Sequence, residues 1–335
     1  MGADEAAAGW ELRLKLAQVL TGERAAPGVD DPLREPFRLA AEGHGVAGLL
    51  GHLGPDFERS AMALKAKGIR ALRFTMRVTQ ALDEAGVVHA VLKGAACGAR
   101  WAEPSARQQS DVDVLLHRGD LKRASEAMVK SGLASHEFLA GEVMHNASLQ
   151  PKEPGGLLIE LHHALTSHHD VHFDVSEMIE RRVQLTTPQG PVWGLAPEDD
   201  AVFLALHAST HALHRLAWLV DLWRLSVAGV DWIEAARRAR EGNVAGAVEL
   251  AWRETRALFG APIGEAAFDE LGVGAAQRLR YRTLYQLTHH TQGKPQQFFE
   301  RSFRMALVPL WDMPGVLRHK LRANAEEAAA YKTLS

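Results

Sequence analysis

QQSDVDVLL, residues 108–116, decides how the rest of the chain is read. Its apolar positions form a short run of the kind that buries as a strand, yet two carboxylates sit inside it with one valine between them. Alternate residues of a strand share a face, so Asp111 and Asp113 point the same way with α-carbons about 6.6 Å apart. Each ionised carboxylate resists burial unless a cation or donor compensates it. A divalent cation between the two relieves their repulsion most directly, and oxygen ligands favour Mg²⁺, or Mn²⁺ in its place. The plainer reading is an edge strand whose two aspartates face water.

Working upstream, VVHAVLKG (residues 87–94) is a β-branched run closed by glycine, and the following AACGARWA has helical composition. That is strand, turn, helix. Free amide groups at such a junction receive phosphate oxygens, with Lys93 as an added cation; a tight turn beside a solvated lysine is the simpler alternative. Downstream of the aspartates, Asp120 is an expected N-cap and Gly132 an expected stop for the helix LKRASEAMVKSG. A strand is expected around Glu142 to Gln150. After the turn PKEPGG, LLIELHHAL alternates so that Leu158, Glu160 and His162 share one face. Glu160, another charge in mid-strand, is the candidate third carboxylate.

The combination VLKGAACGARW, Arg107 four residues ahead of Asp111-Val112-Asp113, and IELHH resembles the nucleotidyltransferase superfamily typified by DNA polymerase beta. More narrowly, it is similar to a bacterial subgroup of uncharacterised nucleotidyltransferases with the pattern LKG, R-x-x-x-D-x-D-L-L and E-L-H, over roughly residues 30 to 260. The resemblance implies an α+β fold, a mixed β-sheet core flanked by N-terminal and C-terminal helical regions. It implies two Mg²⁺ ions held by Asp111, Asp113 and Glu160, with Gly94 receiving the phosphates of an NTP such as ATP. Serine commonly follows that glycine in the superfamily, whereas Ala95 stands here, so Lys93 and Arg107 are the expected phosphate contacts. Arg107 can clamp a phosphate bidentately, and an ordinary loop cation is the competing reading. The reaction so implied moves a nucleoside monophosphate to a hydroxyl or phosphate of a small-molecule, sugar or peptide acceptor. A catalytically silent nucleotide-binding protein is the alternative, as is transfer of a phosphoryl or glycosyl group on the same metals.

Histidines add a second theme. His162 shares the face of Glu160, where it either ligates the metal, orients the nucleotide's phosphate or shuttles a proton, or else supports the carboxylates through hydrogen bonds. His163 points away, and His168, His169 and His172 read as a solvated loop able to take up Ni²⁺ or Zn²⁺ adventitiously. In LALHASTHALHRLAWLVDLWRL, within one long helix expected from Glu198 to about Val227, His207, His211, His214, Trp218 and Asp221 fall on one stripe. No acid neighbours His207 as a zinc protease requires. The stripe either lines a substrate cleft, with His207 and His211 on the nucleotide, or seals two helical layers.

The whole chain sets limits around these motifs. Its 335 residues suggest a helical region over 1–86, the catalytic core over 87–190 and a helical domain over 191–335. A net charge of −3 gives no basic field for duplex nucleic acid, and no apolar run approaches the roughly 18 residues of a membrane span. One cysteine, Cys97, excludes an internal disulfide and a thiolate zinc site; with an N-terminus lacking a basic-then-apolar pattern, a cytoplasmic protein without a secretory signal is expected. Oligomeric state leaves no mark in the sequence.

Overall fold

The computed structural model describes residues 3–136, 145–166 and 171–290. In chain order these form α1 (Ala3–Thr21), α2 (Arg34–Gly43), α3 (Pro55–Glu84), β1 (His89–Val91), α4 (Ala95–Gly98), β2 (Asp111–Leu116), α5 (Leu121–Lys130), β3 (Asn146–Leu149), β4 (Leu158–His162), α6 (Val175–Glu180), β5 (Val183–Thr187) and β6 (Gly190–Gly194). The helices α7 (Pro197–Thr210), α8 (Leu216–Val227), α9 (Trp232–Glu241), α10 (Ala245–Phe259), α11 (Glu265–Leu271) and α12 (Ala275–His290) follow. The fold is α+β, as the sequence leads one to expect. Two compact units interleave along the chain: of the described residues, one comprises 3–69, 100–108 and 197–290, the other 70–99, 109–136, 145–166 and 171–196.

The second unit holds the sheet, in the order β3-β4-β2-β1-β6-β5. It is mixed: β1 runs antiparallel to β2, β2 parallel to β4 and β3 antiparallel to β4. Strand alternation explains its two faces. Val112, Val114 and Leu116 of β2 with Ile159 and Leu161 of β4 pack against Phe74, Val78 and Leu82 of α3 and Leu121, Ala124 and Met128 of α5. The aspartates of β2 therefore lie on the face turned away from this core. They do not sit on an edge strand, because β2 is flanked by β4 and β1. The expected strand around Glu142 to Gln150 is β3, four residues long; Glu142 to Met144 lie outside the described residues. The hairpin β5–β6 turns through Thr187-Pro188-Gln189-Gly190, closed by Thr187 Oγ1 donating to the Gly190 carbonyl at 2.7 Å.

Two local expectations need correction. Asp120 stands at the N-cap of α5 without capping it, because its carboxylate accepts instead from Arg123 Nη2 at 2.5 Å. The single helix expected from Glu198 to Val227 is two helices in the first unit. Ala212 and Leu213 take φ of 51° and 54°, and the Leu213 amide donates to the Ala208 carbonyl at 2.8 Å, the bond that typically ends a helix. Both side chains are buried, so packing holds a conformation that neither residue prefers.

At the other end of α7 the first unit is tied by ion pairs to two buried acids. Arg100 donates to Asp200 at 2.5 Å, and Arg238 lies 2.9 Å from Asp199, both acids in the first turn of α7. Burial pushes Asp200 up to about 6 despite the Arg100 charge. Trp252 fills the centre, its indole donating to the Ala201 carbonyl at 3.3 Å and packing edge-on to Trp232.

Candidate active site

Parallel pairing of β2 with β4 places Asp113 directly opposite Glu160. Partners in register point to the same face, so the two carboxylates meet across the strands. His162, one strand repeat beyond Glu160, is on that face as well. One ligand atom each from Asp113, Glu160 and His162 lies within 4.8 Å of the others, and this is the group among the described residues with the make-up and spacing to hold a metal ion. His162 Nε2 is 3.1 Å from Asp113 Oδ1 and 3.4 Å from Glu160 Oε2. Lys93 Nζ is 2.9 Å from the same Asp113 oxygen.

This clustering governs the charge states. Burial alone would raise Asp113, but the hydrogen bond from His162 and the Lys93 charge outweigh it and hold the carboxyl well below the usual range. Burial alone would likewise lower His162, yet hydrogen bonding to Asp113 and Glu160 raises it. Asp113 is fully buried while Glu160 is half-buried, so Glu160 is the acid with access to an incoming group.

The glycine turn lies in the same unit. The Leu92 amide donates to the Asp113 carbonyl at 3.0 Å, carrying the β1–β2 ladder up to Lys93. Gly94 follows with φ 58° and ψ −108°, a conformation side chains resist, and it opens the four-residue α4. A β-carbon there would come within 2.6 Å of the Gln109 carboxamide, which donates to Thr75 Oγ1 at 2.8 Å. The glycine thus serves both the turn and the close approach of Gln109, a neighbour that the motif reading did not single out.

Of the other expected site residues, Asp111 opens β2 on the face of Asp113 and is half-buried; its carboxylate is not among the three that converge. Arg107 belongs to the first unit and is buried there. Its Nη2 donates to Asp221 Oδ2 at 2.8 Å, its Nε lies 3.3 Å from both Asp221 oxygens, and Nη1 donates to the Gln108 carbonyl at 2.7 Å. Trp101 Nε1 donates to the same aspartate at 2.9 Å. The guanidinium expected to clamp phosphate is therefore engaged by Asp221, which the sequence had placed on the histidine stripe. His207 and His211, also in the first unit, have ring centroids 4.8 Å apart and lie 5.3 and 5.1 Å from Trp218. Although the helix breaks between them and Trp218, the turn keeps the three rings together. His172 is exposed, while His168 and His169 lie outside the described residues.

Carboxylates on adjacent strands of a mixed sheet, beside a strand–glycine–helix turn, are the arrangement that the resemblance to nucleotidyltransferases implies. The family model described as uncharacterised nucleotidyltransferase matches residues 43–260, and the chain belongs to that family. No curated protein is similar enough to count as a relative. Among solved structures, an antigenic nucleotidyltransferase-like protein from Paracoccidioides brasiliensis is 18% identical over 60% of this chain and 97% of that one, with a TM-score of 0.37, a likeness too loose to carry argument. No helix among the described residues is long and apolar enough to cross a membrane.

Proposed function

We propose that the protein transfers a nucleoside monophosphate from an NTP to a hydroxyl or phosphate of a small-molecule, sugar or peptide acceptor. The observation that carries this reading is the convergence of Asp113, Glu160 and His162 on one face of the sheet. Two carboxylate oxygens suit Mg²⁺, and the imidazole nitrogen extends the fit to Mn²⁺. When bound, such an ion neutralises charge on the transferring phosphate and its leaving group.

The remaining roles fall to the chain itself. Asp113, held ionised, and half-buried Glu160 would hold the ion together with His162, and Glu160 is the proposed acceptor of the proton from the acceptor hydroxyl. Asp111, half-buried on the same face, would add a carboxylate for a second ion. Lys93 and the Gly94 turn receive nucleotide phosphates, the lysine as a compact point charge. His207 and His211, packed with Trp218 within the first unit, are proposed nucleotide contacts on the chemistry of their rings alone. A cytoplasmic setting is proposed from the single cysteine.

Incubation with each labelled NTP, Mg²⁺ or Mn²⁺ and a panel of acceptors tests the reaction. Pyrophosphate release that disappears in Asp113→Ala is the expected result. Ala95 after Gly94, in place of a hydroxyl residue, is the feature that favours a silent nucleotide-binding protein. Tight NTP binding with no turnover on any acceptor would establish that alternative, and release of orthophosphate or a sugar product would identify a different transferred group.

A further inference from the structure

Two donors converge on a single oxygen. Lys93 Nζ is 2.9 Å from Asp113 Oδ1, and His162 Nε2 is 3.1 Å from the same atom. A carboxylate oxygen offers about two lone-pair positions, and these two donors take both of them on Oδ1. The two occupants are not equivalent. Imidazole can exchange its proton for a metal and remain in place, whereas an ammonium group has no lone pair and can only leave.

Local structure allows that departure. The backbone on either side of Lys93 is pinned, by the Leu92 amide on the Asp113 carbonyl and by the Ala96 amide on the Lys93 carbonyl at 3.1 Å. Its side chain keeps 13% exposure while that of Asp113 keeps 2%. The stem has four flexible carbons, so Nζ can swing while the strand end and the Gly94 turn stay fixed.

We propose that Lys93 is an internal counter-ion that holds Asp113 until a divalent cation displaces it, and that loading the metal releases the ammonium to the phosphates of the nucleotide. The proposal rests on reading Asp113, Glu160 and His162 as a metal site. Without nucleotide, the displaced ammonium remains close to a doubly charged ion, which opposes loading. A triphosphate removes that opposition by accepting the ammonium, so metal and nucleotide favour each other by the same factor.

The test is a titration of Mn²⁺ into the full chain without nucleotide, with bound ion counted by electron paramagnetic resonance. Lys93→Met, uncharged and of similar length, is expected to bind Mn²⁺ at least tenfold more tightly than the wild type, and Lys93→Arg to stay near the wild type. Equal or weaker binding by folded Lys93→Met overturns the proposal. A second arm needs no variant: acylation of Lys93 by an amine-reactive ester, read by mass spectrometry, should rise several-fold at saturating Mn²⁺, and an unchanged yield also overturns it. If Mn²⁺ binds the wild type, is lost in Asp113→Asn and is indifferent to Lys93, only displacement fails. If neither wild type nor Lys93→Met binds Mn²⁺, with or without inorganic triphosphate, the metal site fails too.

Discussion

Replacing Asp221 by alanine is expected to cost about 4 kcal/mol of stability. The residue accepts from Arg107 Nη2 at 2.8 Å and from Trp101 Nε1 at 2.9 Å, and the Arg107 and Asp221 side chains are only 8% and 1% exposed. Breaking one partner out of a buried pair costs about 3–5 kcal/mol, because the other charge is left buried without compensation. The orphaned indole N–H adds about 1–3 kcal/mol. Against this, Arg107 Nη1 keeps its bond to the Gln108 carbonyl at 2.7 Å, which places the total near the lower end of the sum. In urea, with a slope of about 2–3 kcal/mol per molar, the unfolding midpoint should fall by more than about 1 M. Joint replacement of Arg107 by methionine and Asp221 by leucine should recover much of the loss, since removing both charges is far less costly than stranding one. A midpoint change in Asp221→Ala corresponding to less than about 1 kcal/mol would refute the structural role assigned to the Arg107–Asp221 pair.

Three other outcomes can be checked separately. Gly94→Ala should lose about 2 kcal/mol by thermal melting, because φ of 58° with ψ of −108° strains any side chain and the new β-carbon meets Gln109 at 2.6 Å. Glu160→Gln should leave the melting temperature nearly unchanged while weakening Mn²⁺ binding at least tenfold in calorimetry, since the half-buried side chain contributes charge to the cluster and little to the core. Burial, aided by the Arg13 charge, lowers His44 to about 4, so the folded state holds it neutral after the unfolded chain has begun to take up a proton near pH 6.5. Its folded value is depressed, so its contribution to stability is present above pH 6.5 and declines by about 1.4 kcal/mol per pH unit until levelling near pH 4. His44→Gln should flatten that slope in urea titrations across the same window.

The elements around the site were legible because burial constrains their pattern. DVDVLL and LLIELHH place charges inside apolar runs, and period-two alternation alone puts Asp113 on the face of Asp111 and His162 on that of Glu160. What alternation cannot supply is register between strands, which sets Asp113 rather than Asp111 opposite Glu160. Arg107 and Asp221 lie 114 positions apart, and no local signal links them. The break between α7 and α8 was equally hidden: Ala212 and Leu213 are ordinary helix formers, and tertiary packing overrides their preference. The β5–β6 hairpin, in contrast, left a readable trace in the alternation of VQLTT and the Pro188-to-Gly190 turn that the motif-centred reading passed over.

Diffraction from crystals of the full chain grown with Mn²⁺ and a non-hydrolysable NTP, recorded at the manganese absorption edge, addresses the central claim most directly. An anomalous peak about 2.1 Å from carboxylate oxygens of Asp113 and Glu160, with His162 Nε2 in the same shell and phosphate on the far side, is the predicted result. Bound nucleotide with no peak at those three side chains, or manganese held elsewhere, would contradict it.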